Sequence, residues 1–198
     1  MSQEFEVSMK VLCLIFSVFL INGCAIDAER YRDKTPSFKF ESFFQGNLCA
    51  KGLVKSRNGQ INRKFAADIV ASHSANQVIL EEVFLFDDGE RQERNWVFDK
   101  TAEGWSGTAG DVIGIANGEV FGDSLHLRYQ LKINIDNSEY IVAMDDWLTL
   151  VDDSTLMGST EITKWGVNLG RIDIVIQKTE SLQRNASKLE NCIEAGVL

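Results

Sequence analysis

Three pairs of adjacent aspartates are the residues whose type and spacing most readily carry chemistry: Asp87-Asp88, Asp145-Asp146 and Asp152-Asp153. Neighbouring carboxylates can hold a cation, and two in unlike environments can divide acid and base roles. Asp87-Asp88 and Asp152-Asp153 lie at turns, where Asp hydrogen-bonds its own backbone and needs no ligand. Asp145-Asp146 instead interrupts an apolar run, with Ile141-Val142-Ala143-Met144 before it and Trp147-Leu148 after it. Neighbours on a strand point to opposite faces, so one of the two must face inward. Asp146 shares its parity with Tyr140, Val142, Met144, Leu148 and Leu150, the more apolar face. A buried carboxylate needs a partner or a raised pKa. Arg94 and Arg128 are the candidate partners by charge, although Arg128 alternates with an inward row. The candidate ligand or buried polar site comprises Asp145, Asp146, Trp147, Tyr129 and Arg94. A structural ion pair is the leading reading of it, then ligand binding, then catalysis.

Other chemistry-bearing residues form no pattern. His73 falls in a loop and His126 on a polar strand face, and neither belongs to a metal-ligand spacing. Ser106 lacks the spacing of a nucleophile elbow. The glycines between Gly107 and Gly122 precede no helix, so they build no phosphate cradle. Trp96, Trp105, Trp147 and Trp165 read as core or rim packing. No catalytic residue, metal or cofactor is expected, and the chain is read as not an enzyme.

One cysteine stands apart. The apolar run Val11–Ile21 follows Lys10 and ends in Leu20-Ile21-Asn22-Gly23-Cys24. A run of that length is a signal-peptide core and too short for a comfortable membrane span. Its end resembles the bacterial lipobox, with Ile21 and Gly23 matching and Asn22 departing modestly. On this reading the Cys24 thiol takes a diacylglyceryl group, and small Gly23 admits the peptidase. Ala25, where an Asp would retain such a protein at the inner membrane, points to the outer membrane. Glu4 and Glu6 are unusual before such a core, and Met9-Lys10 offers an alternative start.

The elements that position these residues are strands. From Phe43 to Lys178, apolar alternation is broken by turn signals such as Asn58-Gly59, Asp87-Asp88-Gly89 and Asp136-Asn137-Ser138. Ser124–Ile135 is the clearest strand: Leu125, Leu127, Tyr129, Leu131 and Ile133 share one face, and His126, Arg128, Gln130 and Lys132 the other. Asn117-Gly118 lies near a bend after a short strand. Eight to ten sequential strands favour an antiparallel up-and-down β-barrel, lipocalin- or calycin-like, with a β-sandwich second. The expected organisation is a signal peptide over 1–23, a polar tether over 24–42, the barrel over 43–180 and a C-terminal tail over 181–198. Leu182, Ala186, Leu189 and Ile193 recur in that tail at helical spacing. Cys49 and Cys192 are the remaining thiols of the mature chain. A disulfide between them is geometrically open, since the first strand of a closed meander neighbours the last. The alternative is Cys49 as a small buried apolar residue.

The segment Phe44–Lys178 resembles an uncharacterised family of bacterial lipoproteins, domain-of-unknown-function family 3833. The carrying residues are Phe44-Gln45-Gly46, the Phe86–Glu90 turn with Arg94 and Trp96, Gly107-Thr108-Ala109 with Asp111-Val112, Arg128-Tyr129, Asp145-Asp146-Trp147 and Lys164-Trp165-Gly166-Val167. The resemblance implies the fold and the envelope location, and no activity.

The formal charge is −9. Cleavage after Gly23 would remove two acids and one base and leave −8. Clustered Lys and Arg are needed to grip phosphates, so nucleic acid is not an expected partner. The expected function is an outer-membrane-anchored periplasmic lipoprotein whose barrel binds a small apolar or amphipathic ligand. The alternative is a structural or partner-binding envelope lipoprotein with a side-chain-filled barrel. A Cys24→Ser chain is expected to leave the membrane pellet on fractionation while its domain stays folded, because the core lies beyond Phe43.

Overall fold

Ten strands run up and down in chain order: β1 (Gly46–Ser56), β2 (Ile61–His73), β3 (Gln77–Phe86), β4 (Arg91–Lys100), β5 (Trp105–Thr108), β6 (Val112–Phe121), β7 (Ser124–Ile135), β8 (Ser138–Asp152), β9 (Thr155–Lys164) and β10 (Val167–Lys178). This is a computed structural model, and it describes residues 26–135, 138–179 and 192–193. Each strand pairs antiparallel with its neighbours in sequence, and β1 pairs with β10 to close the barrel. Closure leaves no unpaired edge to template aggregation. The hairpins form where the sequence marks them. At Asn58-Gly59, for example, Gly59 adopts φ +85° and its N–H donates to the carbonyl of Ser56.

Alternation sorts the side chains. Leu125, Leu127 and Leu131 of β7 are buried, as are Val142, Met144, Asp146 and Leu148 of β8. The inward rows of β1 and β2 are small, with Ala50, Gly52, Ala67 and Ala71. Phe65 explains one of them: its ring occupies the space a Cβ on Gly52 would need.

One expectation is refined and one corrected. Asn117-Gly118 lies near a bend but is not itself the bend. Both residues lie within β6, opposite Arg128 and Leu127. The irregularity falls earlier, where the register slips between Ile113 and Asn117 and Gly114 takes φ +75°. Nor is 24–42 a tether throughout. Phe38, Phe40, Phe43 and Phe44 are all buried, the last three in or beside a helical turn at Phe40–Phe43. Phe40 stacks on Trp105 at 4.7 Å and meets Phe98 at 5.0 Å. The segment is tied down as the N–H of Phe38 donates to the carbonyl of Gly122. A barrel end without side chains to fill it exposes apolar wall. Four phenylalanines remedy that, each contributing about 2 kcal/mol of burial. They close the end carrying the β2–β3, β4–β5, β6–β7 and β8–β9 turns. We call the opposite end the mouth.

The signal segment 1–23, Cys24, the turn residues Asp136 and Asn137, and most of the 181–198 tail with its expected helix lie outside the described residues. Cys192 does not, and it forms a disulfide with Cys49 on the outer face of β1, Cα atoms 5.6 Å apart. The N–H of Cys192 also donates to Asp68 Oδ1 at 2.6 Å. The bond joins residues 143 apart in sequence, so reducing it should cost about 2–5 kcal/mol. Thiol counting on the denatured, unreduced protein should find neither Cys49 nor Cys192 reactive, and both after reduction.

Candidate functional site

Inside the barrel, between the phenylalanine plug and the mouth, the inward rows carry polar residues. β3 supplies Glu82, which follows Val78 and Leu80 and precedes Phe84 on the core face. β4 supplies Arg94, directly opposite Glu82 in the ladder, and Trp96 beyond it. Asp111 stands at the β5–β6 turn. β7 contributes Tyr129, β8 Asp146 and β9 Thr160, the last two opposite one another.

The guanidinium of Arg94 spends its bonds on Asp111. Its Nε donates to Oδ1 and Oδ2 at 3.1 and 3.0 Å, and Nη2 to Oδ2 at 2.8 Å. Burial is the largest influence on Arg94 and works against its charge, but these bonds and the nearby Glu82 keep its pKa raised. Asp146 therefore lacks the direct ion pair expected for it. The residue is 9 % exposed. Burial pushes its carboxyl up to about 7, against hydrogen bonding from the Thr160 and Tyr129 hydroxyls and the field of Arg94. Its Oδ1 has no hydrogen-bond partner. Burial pushes Glu82 up to about 7 as well, opposed by Arg94 and by a hydrogen bond donated by the Trp96 indole N–H, and reinforced by Asp111 and Asp146. The phenol of Tyr129 is raised well above its ordinary value, first by burial and then by Asp146.

Glu82, Arg94 and Tyr129 are nonetheless only half-buried by accessible surface. All three belong to inward rows around the barrel interior, in line with Val78 and Leu80 of β3, Trp96 and Phe98 of β4, and Leu125, Leu127 and Leu131 of β7. Trp96 and Phe98, stacked at 5.0 Å, and the edge of Trp96 against Tyr129 at 5.3 Å give this space an aromatic wall.

The five expected site residues thus divide. Asp146, Tyr129 and Arg94 come together inside. Asp145 and Trp147 do not, because alternation turns them outward. There His126 Nε2 and Asp145 Oδ1 are 2.8 Å apart, and the His126 ring stacks on Trp147 at 4.1 Å. Tyr31 covers Trp147 from the N-terminal segment, so His126 is less solvated than its polar face implies. Arg128 also points out, paired with Glu119 at 2.8 Å. Glu82, Asp111 and Thr160 escaped the sequence reading. Glu82 carried a usable signal: like Asp146, it is the inward member of an acidic pair, Glu81-Glu82, set in an apolar row. Two grooves of about 550 Å³ and 630 Å³ share no residue with this cluster, the first along Lys51, Leu53, Met157 and Val175, the second along Thr101, Glu103, Glu119 and Arg128.

A family model described as a protein of unknown function (DUF3833) matches residues 18–178. No curated protein matches the chain. Among solved structures, Rv2717c from M. tuberculosis is similar at 14 % identity, covering 75 % of this chain and 100 % of its own, with a TM-score of 0.48. The S-type phycobiliprotein lyase CPES from Guillardia theta is similar at 10 % identity, covering 69 % of this chain and 89 % of its own, with a TM-score of 0.44. Likenesses this distant concern architecture and say nothing of activity.

Asp146 and Glu82 hold protons more tightly in the folded chain than in the unfolded one. Their contribution to stability is therefore complete below the ordinary carboxylate range and is lost as pH rises to about 7. The unfolding free energy from urea melts should fall from pH 5 to pH 8, and the midpoint with it, by on the order of 1 kcal/mol per pH unit for each group at the steepest. Asp146→Asn should flatten that fall, and a wild-type midpoint unchanged across the window would overturn the assignment.

Proposed function

This chain belongs to the DUF3833 family, and we propose that its barrel is a binding module for a small amphipathic ligand, presented in the bacterial envelope on a lipid anchor at Cys24. The observation that carries the binding reading is Asp146 Oδ1, a buried oxygen with no hydrogen-bond partner, on a side chain of the inward row of β8. An unsatisfied buried polar atom costs about 1–3 kcal/mol. A side-chain-filled barrel has no reason to keep one, whereas a site awaiting a ligand does. The apolar and aromatic surround of Trp96, Phe98 and Phe84 with a few convergent polar groups is the usual make-up of a small-molecule site. The envelope location rests on the Leu20–Cys24 motif and accords with the Cys49–Cys192 disulfide, since such bonds persist in oxidising compartments. We read the protein as a carrier or sensor of its ligand rather than as an enzyme.

The filled-barrel alternative has its own support in the phenylalanine plug, whose four rings are buried at one end. Native mass spectrometry of the protein extracted from the envelope separates the two. A retained molecule, released on unfolding, is the expected result. A bare protein mass across repeated gentle preparations would overturn ligand binding in favour of the structural role.

A further inference from the structure

Acidic groups inside the barrel outnumber basic ones. Three carboxyls face it, Glu82 from β3, Asp111 from the β5–β6 turn and Asp146 from β8, beside one phenol, Tyr129 from β7. One guanidinium faces them, Arg94 from β4, and its bonds go to Asp111. The remaining walls supply no compensation: β9 offers Thr160, β10 offers Ile172, Ile174 and Ile176, β1 offers Leu48, Ala50 and Gly52, and β2 offers Ala67, Ile69 and Ala71. At the mouth, Arg63 lies over the Phe86 ring and pairs with Asp88 and Glu90. Lys164 sits there over the rings of Tyr140 and Trp165. Neither is placed to neutralise Asp146.

Different ligand heads would meet this arrangement differently. An anion would hold Asp146 and Glu82 protonated and leave itself beside Asp111, with one guanidinium already bonded. An apolar head would leave Asp146 Oδ1 bare and seal both carboxyls from water, which is costly. A neutral hydroxyl would satisfy Oδ1 but no charge. A protonated amine does both: its N–H groups donate to carboxylate oxygens, and its charge offsets theirs. Building on the binding reading above, we infer that the ligand of this barrel carries a cationic amine head, received by Asp146 and Glu82 beside Tyr129, with an apolar remainder against Trp96 and Phe84. The proton balance follows. Where Asp146 or Glu82 is protonated before binding, its carboxyl O–H bond breaks, the proton passes to water and the ammonium N–H takes its place. No covalent bond to the ligand forms. Binding should therefore tighten as pH rises through about 7.

The test is calorimetric titration of the full chain carrying Cys24→Ser, purified without detergent, with hexylamine, 1-hexanol and hexanoate at pH 6 and pH 8. Hexylamine should bind at least about tenfold more tightly than hexanol at pH 8, a difference equal to one pKa unit of interaction. It should bind more weakly at pH 6 and release protons there, as judged in buffers of different ionisation enthalpy. Asp146→Asn, which keeps the side chain's shape, should lose most of that preference while still binding hexanol. Glu82→Gln should lose part of it, and the wild-type pH series stands without either variant. Equal affinity for amine and alcohol would overturn the cationic head while leaving a ligand-binding barrel. Binding of none of the three would overturn both readings.

Discussion

Pairing of β1 with β10, from Leu48 opposite Lys178 to Ser56 opposite Gly170, is the contact on which the remaining structure depends. The nine other strand pairings join neighbours in sequence and would exist in an open meander. Only this one gives the sheet an inside. Once the wall closes, the two-residue period of each strand becomes a decision about solvent. Asp145 and Asp146 differ by one position, and that difference separates an exposed partner of His126 from a carboxyl enclosed by protein. The closing ladder spans nearly the whole barrel domain in sequence, so it forms against a large loop entropy. The Cys49–Cys192 disulfide attaches the tail on the outside of this same seam.

A closed wall also changes what a polar residue costs. On an outer face, Glu82 or Asp146 would be an ordinary solvated carboxylate. Inside, each resists ionisation, and Asp146 retains an oxygen with no partner. Replacing such groups with apolar residues of similar volume would ordinarily stabilise a core. The Arg94–Asp111 pair shows that the interior can satisfy charge where geometry allows. The contrast between that satisfied pair and the two carboxyls beside it concentrates the functional argument on β3 and β8.

Much of this was legible in the residues themselves. The inward face of β7 and the parity of Asp146 follow from alternation, which depends only on local backbone geometry. Asp145 and Trp147 were grouped with Asp146 by nearness in sequence, a measure that alternation defeats. The plug was hidden for a different reason. Phe38 and Phe40 sit between Ser37, Lys39 and Glu41, so the segment is polar on average, and its aromatics acquire a role only once a barrel end needs covering. Asp111 pairing with Arg94, rather than Asp146 doing so, depends on where a turn places a carboxylate in three dimensions. The irregularity at Gly114 likewise answers to the curvature of the wall, which a local pattern does not encode.

The plug brings a directional consequence. The chain enters the barrel from the plugged end, where Phe38 bonds to Gly122 and the Ala28–Tyr31 turn packs beside Trp147. An acyl chain on Cys24 would fasten that end toward the bilayer, with the mouth turned the other way. A guest would then arrive from the aqueous compartment rather than by sliding out of the leaflet that held such an anchor. The same polarity would let a second membrane, or a soluble donor, meet the mouth without displacing the anchor.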